Sequence, residues 1–290
     1  MSVGRITVIV PVKNGHGTIR SVIANIRKQT YKNKEILVVD DGSSDDTYKI
    51  CRKLGVNVLR NEKNIGLAAS LNRAFLKAKT DIVVSLQSDC VPTSKDWLKN
   101  LVEPLKNPEV VASVSKVETR LENWKKFGLG GQILTARELG TFTPLMDEKG
   151  CAFRRKVMIE IGLFDYKTFR TAGEDFDMYF KLSGKGKIAY PNAKVYHEEF
   201  QNFTKRFKKE ARMVEGYGCD FRIYGTKMTR WPAAIAKSIP ILGWLVFMVT
   251  FPYHKLGIKS IASIPINFAR NFMYSFYFWR GFIRRKQTRP

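Results

Sequence analysis

The chain has 290 residues, 44% of them hydrophobic, and 50 Lys and Arg against 26 Asp and Glu give it a net charge of +24. This excludes a disordered chain and a domain too small to bury its own core, and it asks for an anionic partner such as nucleic acid, anionic lipid or a phosphorylated small molecule. The four cysteines, Cys51, Cys90, Cys151 and Cys219, have neither zinc-like nor closely paired spacing, so they are expected reduced, inside a cell.

Residues 5–12 are a first expected strand, closed by Pro11 and the polar run KNGHG. No secretory signal pattern precedes it. Residues 18–29 carry Ile19, Val22, Ile23 and Ile26 at spacings of three and four, the period of an amphipathic helix. Residues 36–47 read ILVVDDGSSDDT. This is a buried strand running into a tight turn, with Ser44, Asp45 or Asp46 available to cap the next helix. Asp40 and Asp41 stand at the carboxyl end of that strand, where open α/β sheets take ligands. A capped, solvated turn is the alternative reading of the same residues.

Helices over 47–54 and 67–78 and strands over 56–59 and 82–86 continue the alternation. Four strand–helix repeats in ninety residues predict a mostly parallel sheet covered on both faces. Right-handed crossovers would gather its turns, with Lys13 and Asn14, Asp40 and Asp41, residues 61–64, and Asp89, along one edge. Beyond them a helix is expected over 92–105 and a strand over 110–117. Residues 118–142 read as a loop or an interfacial helix. A strand over 149–154, a helix over 156–162, a helix over 173–182 (GEDFDMYFKL) and short strands over 187–190 and 193–196 lead to His197.

The composition then changes. Residues 201–230 form a basic amphipathic, interfacial segment, in which Lys205, Arg206, Lys208, Lys209 and Arg212 lie among Phe203, Phe207, Met213 and Tyr217. Residues 231–283 contain two aromatic-rich apolar stretches of about 20 residues each, enough for a two-helix membrane hairpin. Helices lying on the membrane surface and a buried helical subdomain are the other two readings. A hairpin would leave the basic tail 284–290 in the cytosol, and with it the catalytic portion and both termini, at the cell membrane.

Five stretches together resemble the inverting glycosyltransferase family 2. They are VIVPVKNG (8–15), VVDDGSSDDT (38–47), NEKNIGLAASLN (61–72), Asp89, and GEDFDMYF (173–180). The C-terminal layout is similar to that of archaeal membrane-bound mannosyltransferases of lipid-linked glycan synthesis and of minimal cellulose-synthase-like enzymes. The resemblance implies an α/β GT-A catalytic domain over 1–200. It implies that Asp41 holds the nucleotide base, with Pro11, Val12 and Asn14 bordering it and Asn64, Gly66 and Arg73 flanking the nucleotide. Gln87, Ser88 and Asp89 occupy the place of the metal-binding Asp-x-Asp motif. Asp175 would be the general base, shaped by Glu174. Gly150, Arg154, Arg155 and His197 would meet the sugar, acceptor or diphosphate.

Two departures matter. Gln87 replaces a carboxylate, so Asp89 alone would hold Mg²⁺ or Mn²⁺, and weakly. Metal-independent transfer is therefore expected, with Lys116, Arg120, Arg154 or Arg155 countering leaving-group charge. The QxxRW signature of processive synthases is absent, which disfavours long polymers. The resemblance thus implies a nucleotide-diphospho-sugar donor, GDP-mannose first, and a polyprenyl- or dolichyl-linked glycan acceptor at an anionic lipid membrane. The competing readings are a polyprenyl-phosphate sugar synthase, an inactive membrane scaffold and a nucleic-acid-binding module. No recognition motif supports the last, so a nucleic-acid partner is not expected.

Overall fold

The computed structural model describes residues 3–140, 146, 149–169, 172–228 and 231–284. Its elements in chain order are β1 (Ile6–Val12), α1 (Ile19–Arg27), β2 (Lys34–Asp40), α2 (Thr47–Lys53), β3 (Asn57–Arg60), α3 (Leu67–Lys77), β4 (Ile82–Ser85), β5 (Cys90–Pro92), α4 (Trp97–Val102), β6 (Val110–Val114), β7 (Lys116–Glu118), α5 (Leu121–Lys125) and α6 (Gly128–Thr135). There follow β8 (Cys151–Arg154), α7 (Arg155–Glu160), α8 (Glu174–Ser183), β9 (Lys187–Ala189), β10 (Lys194–His197), α9 (Phe203–Tyr224), α10 (Trp231–Ser238), α11 (Leu242–Val249) and α12 (Ser263–Arg284). They divide between two compact units. The first comprises residues 1–118, 142–165 and 175–198, and the second comprises 119–141, 166–174 and 199–290.

The first unit is built on a seven-stranded sheet of order β3-β2-β1-β4-β8-β6-β9. β1 runs parallel to both β2 and β4, and β2 parallel to β3, as the alternation predicts. Strand β1 is apolar on both faces because both are covered. Ile6, Val8 and Val10 join a core with Ile23 of α1, Cys51 of α2 and Trp97 of α4, while Ile9 points into a second core with Phe75 of α3, Met158 of α7 and Met178 of α8. The parallel register brings the ends of β1, β2 and β4 to one edge. There the Asp41 N–H donates to Val12 O, the Asn61 N–H to Asp40 O and the Leu86 N–H to Ile9 O, at 2.8–3.0 Å.

The sheet is less parallel than expected in its second half. β8 is antiparallel to β4 and β6, which reverses the direction of residues 150–154. The expected helix over 92–105 is shorter: residues 90–92 are strand β5, and α4 covers only Trp97–Val102. β5 pairs antiparallel with β10, and β10 parallel with β7, in a second, three-stranded sheet.

The second unit is helical. Residues 118–142, read as loop or interfacial helix, contain α5 and α6. The basic amphipathic segment is the 22-residue α9, capped by Asn202, whose side chain accepts the Lys205 N–H at 2.8 Å. α9 lies against α12 at two glycines. A methyl group on Gly218 would strike Phe278 O, and one on Gly281 would strike Glu215 O. Ion pairs flank this crossing, Arg270 with Glu210 at 2.5 Å and Arg280 with Glu215 at 2.8 Å. Gly281→Ala has to push the two backbones apart, so it should destabilise the protein by about 3 kcal/mol, the upper end of overpacking costs. A urea melt reads this; an unchanged midpoint would mean that the crossing yields freely.

The first apolar stretch, expected as one helix of a membrane hairpin, is not continuous. The first stretch is two short helices, α10 and α11, broken at Ile239, Pro240 and Ile241. Proline disfavours helical backbone at the residue before it, and Ile241 takes a left-handed φ of 69°. Asn271 of α12 holds the break: its Oδ1 accepts the Ile241 N–H at 3.1 Å and its Nδ2 donates to Lys237 O at 2.8 Å. Eight residues of α11 span about 12 Å against the roughly 30 Å of a bilayer core. Among the described residues no helix is long and apolar enough to cross a membrane.

Candidate active site

At the common edge of β1 and β2 the two following loops hold each other. The Asn14 N–H donates to Ser43 Oγ, the Gly15 N–H to Thr47 Oγ1, and the Ser44 N–H to Asn14 Oδ1, all at 2.8–2.9 Å. Asn14 has a φ of 51°, a left-handed conformation that asparagine tolerates well. Gly42, at φ 67°, is required for a second reason: a Cβ there would sit 2.6 Å from the Lys63 carbonyl carbon.

The two aspartates have different tasks. Asp40 is fully buried. Its Oδ1 accepts the Ser43 N–H at 3.0 Å and its Oδ2 faces Arg60 at 3.4 Å, which makes it the fastening of the turn. Asp41, 6% exposed, organises the next loop. Its Oδ1 accepts from Asn61 Nδ2 at 2.9 Å and from the Ile65 N–H at 2.8 Å, and its Oδ2 accepts the Gly66 N–H at 2.9 Å. Asn64 Oδ1 also accepts from Gly66, and Arg73 donates to Asn61 Oδ1. Pro11 and Val12 end β1 beside Val39 and Asp40. Pro11, Val12, Asn14, Asp41, Asn64, Gly66 and Arg73 therefore surround one set of loops. A carboxylate offers about four acceptor positions. Three are used, and one on Oδ2 has no donor among the described hydrogen bonds.

Beyond β4, Gln87, Ser88 and Asp89 form a turn closed by the Cys90 N–H donating to Gln87 O at 3.1 Å. β10 pairs Cys90 with His197, and the Glu198 N–H donates to Asp89 O at 2.9 Å. This sets the His197 ring, which is buried, with Nε2 at 3.2 Å from Asp89 Oδ2. Burial opposes ionisation of Asp89, but the hydrogen bond and charge of His197, with Lys149 close by, outweigh it and bring the carboxyl to about 2. Its contribution to folding is thus complete above the ordinary value of 3.8 and disappears as pH falls through about 2.

The His197 Nε2–Asp89 Oδ2 contact is a hydrogen bond, so Asp89, oriented by His197, is the residue here that would hold Mg²⁺ or Mn²⁺. No group of three or more His, Cys, Asp or Glu suited to a metal occurs among the described residues. Oxygens of a bound diphosphate would have to complete the set. Lys149 is the cation that the sequence reading missed. Its signal was its place next to Gly150, at the head of the KGCAFR strand.

β8 separates the residues assigned to sugar and acceptor. Cys151 pairs with Ser85 at the carboxyl end of β4, so Gly150 lies on the Asp89 side. A Cβ on Gly150 would come within 2.8 Å of Ser115 Oγ. Arg154 pairs with Ile82 at the opposite end. Its guanidinium donates to the carbonyls of Val110, Leu105 and Asn107, and that of Arg155 to Phe75 and Leu76. The expected role of Arg154 and Arg155 at the diphosphate or acceptor is therefore corrected: antiparallel β8 carries them to the far edge, where they tie down backbone. Lys116 pairs with Glu118 at 3.7 Å. Asp175, half-buried, stands in the first turn of α8, with Oδ1 accepting the Phe176 N–H at 3.0 Å. Glu174 opens the same helix and is buried. Arg120 and Glu174 fall in the second unit.

An aspartate turn after the second parallel strand and an Asp–His pair beyond the fourth stand on a mixed sheet covered by helices, the layout that the resemblance to GT-A nucleotide-sugar transferases implies. Residues 7–162, more than half of the chain, match the model of glycosyl transferase family 2, and the chain belongs to that family. It is similar to the O-antigen chain rhamnosyltransferase RfbN of Salmonella typhimurium, with 27% identity over 305 residues, covering 94% of this chain and 96% of that one. It is 23% identical over 226 residues to the poly-beta-1,6-N-acetyl-D-glucosamine synthase of Staphylococcus aureus, which covers 73% of this chain but only 54% of the synthase. Among solved structures, the mannosyltransferase PcManGT from Pyrobaculum calidifontis, in complex with GDP-Man and Mn²⁺, superposes with a TM-score of 0.65 at 20% identity. The match covers 95% of this chain and 87% of that one, a likeness of fold. The chain is a glycosyltransferase that uses a nucleotide-sugar donor.

Proposed function

We propose that the chain transfers a manno-configured hexose, with inversion, from a nucleotide diphosphate to a hydroxyl of a polyprenyl-linked glycan on the cytoplasmic side of the cell membrane. The observation that carries this is the pair of anionic anchors at one sheet edge, Asp41 for the base and Asp89 with His197 for the diphosphate. GDP-mannose is the donor implied by the sequence resemblance. The nearly full-length similarity to a protein named as a rhamnosyltransferase adds rhamnose, a 6-deoxy-mannose, as the second candidate.

The free acceptor position on Asp41 Oδ2 takes a ring N–H of the base. The backbone of Pro11 and Val12 and the 61–66 loop wall that position. Asp89, oriented by His197, would hold a divalent ion at the diphosphate, and that ion would supply Lewis-acid stabilisation of the leaving group when bound. Lys149 adds a positive charge beside them. Asp175 takes the proton of the acceptor hydroxyl, opposite the leaving diphosphate, so the anomeric centre inverts.

The test is to incubate the purified protein with GDP-mannose, dTDP-rhamnose and UDP-sugars and a short polyprenyl-linked glycan, with Mn²⁺ or with EDTA, reading product mass. One added hexose or deoxyhexose that requires Mn²⁺ is the expected result. Equal yield in EDTA would return the diphosphate to Lys149 and His197 alone, as the Gln87 departure first suggested. Transfer to a bare polyprenyl phosphate and to no glycan would replace the acceptor assignment.

A further inference from the structure

After Asp220 the chain has twelve Lys and Arg and no Asp or Glu. Within that stretch α12 is apolar on the face it shows to solvent and mixed on the face it buries. Its inner face buries polar Asn267, Arg270, Asn271 and Ser275 beside Met273, Tyr274 and Phe278, with Arg270 on Glu210 and Asn271 on the α10–α11 break. Its outer face shows Ile264, Phe268, Phe272, Phe276 and Ile283, each 44–73% exposed, mostly at four-residue spacing. α11 continues that face: Leu245 and Val249 are 48% and 84% exposed. The two helices adjoin there through Trp244, whose indole N–H donates to Ile264 O at 3.3 Å and whose ring meets Phe268 edge-on at 5.9 Å. Between them, Ile258 is 83% exposed in the 3-10 turn Gly257–Ala262, next to exposed Lys259, and exposed Arg284 ends α12.

Scattered exposed apolar residues are ordinary, but a continuous aromatic face edged by basic residues with no acid is not. α11 is too short to cross a bilayer, and α12 carries Arg270 and Arg280 within its length. Burial of an aromatic face to the headgroup level, with Lys and Arg at lipid phosphates, matches both facts. We propose that the outer faces of α11, α12 and the Gly257–Ala262 turn seat this chain on the surface of a bilayer containing anionic lipid. The interaction uses hydrophobic insertion together with charge, without either helix crossing the bilayer. This deepens the transfer reading by naming the surface that would bring the enzyme to a lipid-borne acceptor. Its test reads binding alone, so either idea can fail without the other.

The full chain would be floated with vesicles of phosphatidylcholine, or of phosphatidylcholine with about a third phosphatidylglycerol. It should rise with the anionic vesicles at least roughly tenfold more than with the neutral ones, and less in 0.5 M salt. The doubly substituted F272E/F276E chain should fold, since both side chains face out, and lose vesicle binding by roughly tenfold or more. V249E/I258E, on separate elements, should do the same. Absence of binding to both compositions overturns the proposal, as does unchanged flotation of both variants. A lipid-free dimer in light scattering that both variants dissolve would assign the face to a second copy and overturn it equally.

Discussion

Asp175→Asn should reduce turnover by about 10²- to 10⁴-fold, the usual worth of a positioned general base, while the donor's Kd stays within about twofold. The substitution is nearly isosteric. The amide oxygen of the new side chain can still accept the Phe176 N–H, so α8 keeps its first turn. What is lost is the ability to receive the hydroxyl proton. Calorimetry with the nucleotide diphosphate and single-turnover kinetics with the lipid-linked acceptor separate the two quantities. Activity within tenfold of the parent would remove Asp175 from the reaction. It would also favour an acceptor already ionised, such as a phosphate, which needs no base.

Asp41→Ala is the second large effect, and it falls on stability as well as on binding. Three donors converge on the Asp41 carboxylate; without it the Ile65 N–H loses its acceptor near a buried position, and the Gly66 N–H keeps only Asn64 Oδ1. A hydrogen bond to a charged group contributes about 1.5–3 kcal/mol, and such neighbours do not add fully, so a loss of about 3–5 kcal/mol is expected. For a chain of this size that is roughly 10 °C in Tm. Asp41→Asn keeps one acceptor oxygen. It should recover some of the stability but not the donor affinity, because the position facing the base changes from acceptor to donor. If both variants melt like the parent, the 61–66 loop is held by something other than Asp41.

Much of this arrangement was legible in the sequence, and the reasons are local. The strand–helix alternation of residues 5–86 depends on periodicities of two and 3.6, and on Gly42 and the Asp-rich cap, all readable within a dozen residues. The turns therefore collect at one edge as expected. The errors came where direction or distant partners decide. Nothing in KGCAFRR says that β8 runs antiparallel, and direction alone moves Arg154 and Arg155 from the site to the far edge. The pairing of β5 with β10 joins segments about a hundred residues apart, and only that pairing shows why His197 meets Asp89. The 231–253 stretch looked like one helix because its break is completed by Asn271, thirty residues beyond Ile241. Its aromatic composition suggested the interior of a bilayer, and the folded helices divide it between an exposed apolar face and a buried face of mixed polar and aromatic residues.

The mutual grip of the loops after β1 and β2 has a kinetic meaning. Asn14, Gly15, Ser43, Ser44 and Thr47 fix one another's backbone in the protein itself, so the order of these loops is established during folding. A ligand arriving at this edge meets a surface already in its final shape and loses only its own freedom of motion. Encounter at the proposed base-binding end then needs no slow local closure, and the lifetime of such a complex would be governed by how fast the nucleotide departs. An enzyme that must discard a nucleoside diphosphate after every transfer gains from an anchor held rigid in this way, because its grip is limited to the few contacts the edge presents.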